Sequence, residues 1–489
     1  MAWVTAEEMR TLESSAFSVG IDPGELMDLA GAGIARRLID YFPAPGRACA
    51  FIGKGNNGGD AVVALEHLRA RGWEVSLRAS HPEIEWSTLT RQRVRRAGLR
   101  PIEFVPDGNG RLLLLDGLLG IGGRGTLREP LLGLAREMAS LRQAGACIAS
   151  MDLPSGLDPD DGESDATTVT ADITLTIGVP KMGLHSDMAA DRIGQLIAIP
   201  LPALPPPDGR SPRWSSPDLF PDLLPPRSHS FHKGNAGRVA ILAGSPGMSG
   251  AAELCSSGAL RGGAGLVTLF LDPGNDARPP SEIMTHRVGS RIEAFFESKA
   301  SARIMGPGLG KLTAPQRDIL FHHLADDSTP IIIDADALNL LAEHQMTHLL
   351  SGHHLITPHP GEFARLAPDL SRLPRLEAAR AFVARHPCTL LLKGARTVIA
   401  GPGGDLRINP TGHAGMASGG QGDVLAGVCG AMAASGTSLA DAAMLAAWVC
   451  GRAAERAVTH GGQSHESCTA SDTLHHLGGA FQDWKERRR

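Results

Sequence analysis

The stretch RACAFIGKGNNGGDAVVALEHLRARG, residues 47–72, passes from an apolar run through a glycine-rich turn into a segment with helical spacing. The run RACAFIG is typical of a buried strand, KGNNGGD is predicted to be the turn, and AVVALEHLRARG is predicted to be a helix. Glycines allow positive φ and close approach of the backbone to a ligand. The stretch therefore predicts a strand–turn–helix unit, and the amides that open its helix suit a phosphate.

The same order recurs along both halves of the chain. In the first half, RLLLLDGLLG and ACIASMDLPSG are further apolar runs that end in a polar, glycine-rich turn. The corresponding runs of the second half are GRVAILAGS, ARIMGPGLG, PIIIDADALN, HHLITPHPGE and TLLLKGART. Short apolar runs separated by turns favour parallel sheets that are covered by helices on both faces. We therefore predict an α/β protein with two doubly wound domains.

A proline-rich segment, LPALPPPDGRSPRWSSPDLFPDLLPPRS at residues 201–228, separates the two halves. Proline fixes φ and removes a backbone donor, so this run resembles an extended linker more than a packed element. At 489 residues the chain is also too long for one ordinary core. We predict a first domain over residues 1–212, a linker over residues 213–228 and a second domain over residues 229–489.

The composition of the chain limits which binding partners and which cellular location we expect. A net charge of −5 does not favour a polyanion, and the few scattered aromatic residues suggest no base-stacking surface, so we expect no nucleic acid partner. The seven cysteines form no CxxC pair, which fits reduced thiols. The start, MAWVTAEEMR, lacks a signal-peptide pattern, and no apolar run reaches transmembrane length. We expect a cytoplasmic protein without a membrane partner; the sequence leaves a homo-oligomer open.

Three loops of the first half carry polar residues directly after predicted strands: GKGNNGGD at 53–60, DGLLGIGGRG from Asp116, and DLPSGLD from Asp152. In open α/β sheets ligands bind outside the carboxyl ends of the strands, so these loops should converge in one crevice. Taken singly, each loop also fits a tight connection, and Asp116 and Asp152 also fit ordinary helix caps. Their joint occurrence at successive strand ends favours a binding site.

Together with ADITLTIGVPKMGL at 171–184, these motifs closely resemble the NAD(P)H-hydrate epimerase family. The resemblance covers nearly all of residues 1–200 and implies a Rossmann-like fold with a monovalent cation, usually potassium (K+), held by Asn57, Asp116 and Ser155. It also implies that the hydrate lies against Asp152 and a set of loop residues. That set is Asn56, Asn57, Gly58, Gly59, Asp60, Gly120, Ile121, Gly122, Gly123, Arg124, Gly125 and Thr126.

The chemistry of such a reaction fits a carboxylate. Interconverting the R and S hydrates at C6 requires reversible loss or ring opening at a carbon that bears a hydroxyl and a nitrogen. A positioned carboxylate can serve as general acid and base for this step. We predict that Asp152 does so, and that Asp60 has a structural or ligand-positioning role.

The most informative stretch of the second half is GMASGGQGDVLAG, residues 415–427. Its glycines precede a predicted helix, so the amides at the helix N-terminus would face developing phosphate charge. Asp423, in the first turn, is placed to take a proton from an attacking hydroxyl, or it caps the helix. Gly420 and Gly422 flank the loop and favour an anion-binding role.

Other polar residues also follow strands of the second half. His359 in TPHPGE fits a hydrogen-bonded loop histidine, and Lys393 fits either a snorkelling lysine or a point charge for nucleotide phosphates. Asp334, Asp336 and Asn339 fit helix caps, or contacts to magnesium through water.

With GPGLG, IIIDADALN, LITPHPGEFARL and LLKGARTVIA, this stretch resembles the ADP- or ATP-dependent NAD(P)H-hydrate dehydratases of the ribokinase-like superfamily, from about residue 229 to 455. The resemblance implies Asp423 as catalytic base, with magnesium (Mg2+) and ADP as co-substrate. It places the hydrate against Ala251, Gly308, His359 and Asp423. It places the nucleotide against Lys393, Gly394, Ala395, Arg396, Thr397 and Gly422. The family phosphorylates the hydrate's hydroxyl and then expels phosphate, a far better leaving group than hydroxide.

Two positions depart from that family: His413 stands where asparagine is usual, and Gln421 where serine or threonine is usual. Gln421 keeps its backbone amide, so the anion-binding loop should survive, while side-chain contacts to the nucleotide could differ. A fusion of this kind in bacteria usually implies ADP rather than ATP.

The leading hypothesis is a bifunctional repair enzyme for hydrated nicotinamide cofactors, NADHX and NADPHX, whose first domain supplies the S hydrate that the second consumes. One alternative is a ribokinase-like kinase for a small hydroxymethyl substrate. Another is a first domain that only binds or dimerises. The sequence does not distinguish NADHX from NADPHX.

Overall fold

The computed structural model describes residues 3–205, 212–289 and 291–486. The chain divides into two compact units, residues 1–210 (unit 1) and residues 211–488 (unit 2). Each unit is a sheet covered by helices, so the predicted α/β class with two doubly wound domains is confirmed. Among the helices of the described ranges, none combines the length and the apolar composition that crossing a bilayer requires.

Unit 1 contains six strands in the order β2-β1-β3-β4-β5-β6, and every pair is parallel. The strands are β1 Arg47–Ile52, β2 Glu74–Ala79, β3 Leu112–Gly117, β4 Cys147–Met151, β5 Ile173–Ile177 and β6 Gln195–Ile199. The helices are α1 Ala6–Ser18, α2 Pro23–Tyr41, α3 Asn56–Arg69, α4 Thr88–Ala97, α5 Leu131–Gln143 and α6 Ala190–Ile193. The order in which successive strands are added to the sheet reverses between β1 and β3, which is the switch point of the sheet. Doubly wound sheets bind their ligands at such a point.

Helices cover both faces of this sheet because the central strands are apolar on both sides. Ala50 and Ile52 of β1 are buried in the core on one face, and Cys49 and Phe51 are buried in the core on the other. The predicted turn KGNNGGD is wrong in extent, because helix α3 already begins at Asn56. The glycines of this segment lie in the first turn of α3 and let it pack closely on α2. A methyl group at Gly59 would stand only 2.5 Å from the side chain of Met27 in α2.

Unit 2 contains ten strands in the order β10-β9-β8-β11-β12-β13-β14-β15-β16-β7. They are β7 Arg213–Trp214, β8 Arg238–Leu242, β9 Leu266–Leu271, β10 Met284–Arg287, β11 Ala302–Met305, β12 Ile331–Ile333, β13 His354–Ile356, β14 Thr389–Leu392, β15 Val398–Ala400 and β16 Leu406–Ile408. The helices are α7 Ser249–Arg261, α8 Glu293–Phe296, α9 Ala314–Asp326, α10 Ala335–Glu343, α11 Pro360–Leu366, α12 Arg375–Arg385, α13 Gln421–Ala434, α14 Leu439–Thr459 and α15 Ala470–Lys485. Here the switch point lies between β8 and β11.

One edge of the second sheet departs from the parallel pattern. Strands β14, β15 and β16 pair antiparallel, whereas the pairs from β10 to β14 are parallel. The connections at residues 393–397 and 401–405 are too short for the crossover that a parallel pair needs. They therefore form hairpins.

The first two residues of the predicted linker belong to the sheet of unit 2. Arg213 and Trp214 form strand β7, which pairs with β16 and completes the edge of the second sheet. The indole of Trp214 is fully buried, and Arg213 forms an ion pair with Asp405 at 2.7 Å. Prolines are compatible with a neighbouring edge strand, so these two residues belong to the sheet, and the linker over the following residues stays a prediction. Residues 206–211 of the proline-rich run lie outside the described residues.

Candidate active sites

The loops that follow β1, β3 and β4 meet at the switch point of unit 1. The amide nitrogen of Asn57, in the first turn of α3, donates to the carbonyl oxygens of Leu119 at 2.8 Å and Met151 at 3.0 Å. One side chain thereby joins the ends of three neighbouring strands. The predicted convergence of these loops is confirmed.

Asp116 lies at the centre of this meeting point and is fully buried. Its carboxylate accepts hydrogen bonds from Ser150 Oγ at 2.8 Å and from the backbone nitrogen and hydroxyl of Ser155 at 2.9 and 2.6 Å. Burial raises the pKa of Asp116, and these hydrogen bonds oppose the rise. The next α-helix begins only at Leu131, so the helix-cap alternative for Asp116 is wrong.

The three residues assigned to a cation belong to one hydrogen-bonded group. Leu119 donates its backbone N–H to Ser155 Oγ at 2.9 Å and accepts from Asn57, which connects all three to each other. Their side chains offer a carboxylate, a hydroxyl and an amide oxygen. Hard cations prefer such oxygen donors, so the residues present fit a potassium ion.

Asp152 follows β4 and is held in the left-handed region, at φ 66°, which is uncommon for a residue with a side chain. Its Oδ1 accepts hydrogen bonds from the backbone of Ile177 at 3.0 Å and from the Nζ of Lys181. Lys181 also donates to the carbonyl oxygen of Ile177 at 2.8 Å, and its side chain is 1% exposed. The carboxylate therefore belongs to a buried ion pair, and the next α-helix begins only at Ala190, so Asp152 does not cap a helix.

Lys181 is not among the residues that the motifs assigned to the site. It occurs within IGVPKMGL, where a charged residue in a largely apolar segment is the only sequence signal. A buried lysine needs a charged partner, so that signal could have indicated a pair with one of the strand-end aspartates.

Asp60 faces the same pair from helix α3. Burial raises its pKa well above the ordinary value; the carboxylates of Asp152 and Glu13 raise it further, and Lys181 opposes them. Asp60, for which the sequence predicts a structural or ligand-positioning role, thus interacts with two further carboxyl groups and one lysine.

Only the first part of the predicted hydrate-binding segment, residues 120–126, lies beside the hydrogen-bonded group around Asp116. A methyl group at Gly120 would stand 3.4 Å from the side chain of Asn57, so this glycine borders the group around Asp116. Arg124 instead forms an ion pair with Asp160, and Thr126 donates to Asp165 at 2.5 Å. The outer half of the segment is thus fastened to an acidic loop.

In unit 2, the loops that follow β8 and β11 are joined at the switch point. Gly244 and Ser245 donate their backbone N–H groups to the carbonyl oxygens of Pro307 at 3.0 Å and Gly308 at 2.6 Å. A methyl group at Gly308 would stand 3.0 Å from the Cβ of Ala251. The two residues assigned to the hydrate are therefore direct neighbours.

Asp423 lies in the first turn of α13, as predicted, and the helix is capped by Gly420 at φ 91° rather than by this carboxyl group. Burial, together with the charge of Asp334, raises the pKa of Asp423 to about 7, although the charge of Lys393 lowers it. Lys393 does not snorkel into solvent, because its Nζ donates to the buried Asp334 at 2.7 Å. A methyl group at Gly422 would stand 3.1 Å from that Nζ, so the glycine loop lies directly over the ion pair.

The segment assigned to the nucleotide, residues 393–397, forms the turn between β14 and β15. The guanidinium group of Arg375 donates to the carbonyl oxygens of Leu392, Lys393 and Arg396 at 2.9, 3.0 and 3.2 Å. Arg375 lies 18 residues before Lys393 in the sequence, and no motif pointed to it. The turn also contacts the His359 loop, since Lys393 donates its backbone N–H to Pro358 at 2.9 Å.

His359 and His413 both act as local caps. Nδ1 of His359 accepts from the backbone of Gly361 at 3.0 Å at the start of α11, which is the loop-histidine alternative. Nδ1 of His413 accepts in the same way from Gly415 at 3.0 Å, as an asparagine oxygen would. The ring of His413 also stacks on His465 with centroids 4.7 Å apart. This geometry accounts for the departure from asparagine.

The remaining polar residues of the second half have protein partners. Asp336 accepts from the backbone of Gly310 at 2.8 Å, and Asn339 accepts from Arg365 at 2.9 Å. The Oε1 of Gln421 accepts from Thr473 of α15 at 3.0 Å, and its Nε2 donates to Ser418 Oγ at 3.5 Å.

Comparison with known proteins gives two family matches. Residues 23–183 match the family described as YjeF-related protein N-terminus, and residues 239–476 match the family described as NAD(P)H-hydrate dehydratase. Among curated proteins, the chain is 32% identical to the bifunctional NAD(P)H-hydrate repair enzyme Nnr of Coxiella burnetii, over 96% of this chain and 97% of that protein. It is 35% identical to the enzyme of the same name from Escherichia coli, over 92% and 88%.

Among solved structures, unit 2 is similar to an ADP/ATP-dependent NAD(P)H-hydrate dehydratase from Bacillus subtilis, co-crystallised with ATP and Mg2+. The identity is 28%, the TM-score is 0.48, and the match covers 56% of this chain and all of that one.

Proposed function

The chain belongs to the family of bifunctional NAD(P)H-hydrate repair enzymes, and from this premise we propose how its two sites divide the reaction. Unit 1 interconverts the R and S forms of NADHX and NADPHX. Unit 2 uses ADP to dehydrate the S form to NADH or NADPH, with release of AMP and phosphate. The observation that carries this proposal is the presence, in one chain, of a carboxylate–lysine pair at the carboxyl ends of the strands in each unit.

In unit 1, the proposed reaction centre is Asp152. Epimerisation at C6 proceeds either by loss of the hydroxyl as water, which later adds to the other face, or by opening of the C6–N bond. Each route removes one proton from the substrate and delivers one to it, so the site must hold both a base and an acid. The Asp152–Lys181 pair with Asp60 beside it supplies such a combination.

We assign the potassium ion of unit 1 to Asn57, Asp116 and Ser155. When bound, the ion supplies a fixed positive charge beside the loop that begins at Gly120. The hydrogen bonds of Asn57 and Ser155 to Leu119 support this assignment, because they orient oxygen donors of three strand-end loops toward one region. The hydrate is assigned to the neighbouring residues of the 56–60 and 120–126 segments.

In unit 2, Asp423 takes the proton of the C6 hydroxyl as its oxygen attacks the β-phosphorus of ADP. An O–P bond forms, the bond from phosphorus to the AMP oxygen breaks, and AMP leaves. The C6–O bond then breaks with its electron pair, phosphate departs, and a proton leaves C5 to form the ring double bond. A pKa of about 7 suits a general base at neutral pH.

The nucleotide is assigned to the 393–397 turn, with Lys393 as the point charge and Gly422 in the amide loop. Amides at the start of α13 would stabilise charge on the transferred phosphoryl group. Within the described ranges, no group of three or more histidine, cysteine or acidic side chains is arranged so that it could hold a metal ion. Magnesium would therefore bind mainly through the phosphates of ADP, as this ion commonly does.

The proposal is tested with purified protein, a mixture of R- and S-NADHX, ADP and magnesium. Recovery of the absorbance of NADH from both epimers, with AMP formed in equal amount, is expected. A stable phosphorylated product without NADH would instead support a kinase. Recovery limited to the S hydrate would leave unit 1 without its proposed activity.

A further inference from the structure

The N-terminal segment is built directly onto the lysine of the unit 1 site. Val4 forms a parallel bridge with Lys181: its N–H donates to Pro180 at 2.9 Å, and its carbonyl accepts from Met182 at 2.9 Å. The backbone that carries Lys181 is therefore fixed by residues that lie outside every motif assigned to the site.

Helix α1 continues from this bridge across the carboxyl end of the sheet. A methyl group at Gly178, just after β5, would stand 3.1 Å from the Cε of Met9, so this part of the helix packs on the strand end. Arg10 reaches the 120–126 segment and donates to the carbonyl oxygen of Ile121 at 3.0 Å. Residues four apart share a helix face, so Glu13 follows Met9 on the face that covers the site.

Glu13 is partly buried, and charged groups from two strand-end loops and from its own helix act on it. Lys181 and Asp152 act on it from the ends of β5 and β4, and Arg10 acts on it from its own helix. Asp60 of α3 is affected in turn by Glu13. Burial raises the pKa of Glu13, as it does that of Asp60.

Carboxyl groups outnumber cations in this cluster. Lys181 and Arg10 are the cations, three carboxyl groups lie near them, and Asp152 makes the direct contact with Lys181. Like charges that share a desolvated site favour protonation of one member. A cluster of this composition holds an acid beside a base, which is what a reversible epimerisation uses.

Resting on the function proposed for unit 1, we propose that Glu13 is a positioning residue of the epimerase site. Helix α1 carries its carboxyl group over the strand ends, where it places a negative charge beside the Asp152–Lys181 ion pair and Asp60. Helix α1 is thus a wall of the active site.

The experiment uses the full chain and its own second activity as an internal reference. Consumption of S-NADHX with ADP and magnesium reports unit 2 alone, whereas consumption of purified R-NADHX, corrected for spontaneous epimerisation, reports unit 1. Glu13→Gln should lower kcat for the R hydrate about tenfold with little change in KM, a fraction of a general acid–base effect. It should also move the alkaline limb of the pH profile to lower pH, because Asp60 loses a neighbouring negative charge.

Glu7→Gln is the matched control, since Glu7 is an exposed acid on the same helix. Glu13→Asp keeps the charge and should restore most of the profile. Rates and profiles of Glu13→Gln that superimpose on those of Glu7→Gln would overturn the role of Glu13. An unchanged R-hydrate rate in Asp152→Ala would instead overturn the function proposed for unit 1. Normal use of the S hydrate by each variant shows that unit 2 of the chain is folded.

Discussion

The two units place the same chemical groups at the ends of their strands and connect them differently. In unit 1, Lys181 donates directly to Asp152, the proposed acid and base. In unit 2, Lys393 donates to Asp334 instead, and Asp423 stands beside that pair with a pKa of about 7. Lys181 thus pairs directly with the reacting carboxylate of unit 1, whereas Lys393 only lowers the pKa of the reacting carboxylate of unit 2.

The difference follows from what each proposed reaction asks of its carboxylate. An epimerase returns every proton that it takes, so a carboxylate held in a buried ion pair with a second acid nearby serves both directions. A phosphoryl transfer asks for one deprotonation of an alcohol, and a base with a pKa near neutral pH is suited to it. Burial provides that pKa, and Asp334 keeps Lys393 from cancelling it.

The largest effect is expected when one of the two proposed reacting carboxylates, Asp423 or Asp152, is removed. Asp423→Asn should lower dehydration of S-NADHX about 10³-fold, as loss of a general base does, and leave epimerisation unchanged. Asp152→Asn should have the converse effect, because the two sites share no residue. The ratio of R to S hydrate, followed by chromatography with and without ADP, separates the two rates. Loss of both activities in either variant would contradict two independent sites.

The next test compares the two lysines. Lys181→Met leaves Asp152 buried without its partner and should lower the free energy of unfolding by about 3 kcal/mol, the cost of breaking a buried pair. Lys393→Met should cost more, because it leaves Asp334 without its lysine, and that carboxylate side chain is 2% exposed against 11% for Asp152. Urea unfolding with hydrogen exchange of peptides from each unit measures both changes. Equal losses would show that burial does not distinguish the pairs.

A smaller effect is expected on the pH dependence of unit 2. Asp423 is active as a base when ionised, so dehydration should rise with pH through about 7. Asp334→Asn removes the negative charge that raises this pKa and frees Lys393, which lowers it, so the midpoint should move to lower pH. The profile of kcat with S-NADHX checks the shift. A midpoint that stays in place would mean that burial alone sets the pKa.

The sequence was sufficient to predict the strand ends and the loops that follow them, because short apolar runs mark buried parallel strands and topology gathers their carboxyl ends. Partners that come from far along the chain were not predictable in this way. Lys181 and Arg375 have no local pattern, and Glu13 lies in a helix whose acidic residues suggest an exposed surface. The prolines around Arg213 predict a linker, whereas Arg213 and Trp214 complete the edge of a sheet through a pairing that has no local sequence signal.

The smallest effect should come from restoring the residue that the family prefers at the glycine loop of unit 2. In Gln421→Ser the hydrogen bond from Thr473 is lost, which should cost about 1 kcal/mol of unfolding free energy. The KM values for ADP and ATP should stay within about threefold, because the glutamine side chain points to α15 and the loop amide is kept. Thr473→Val removes the same hydrogen bond from the other side and is the matched control. If Gln421→Ser alone changed the preference between ADP and ATP tenfold, the glutamine side chain would have to contact the nucleotide. The two units would then differ in a ligand contact as well as in the pairing of their lysines.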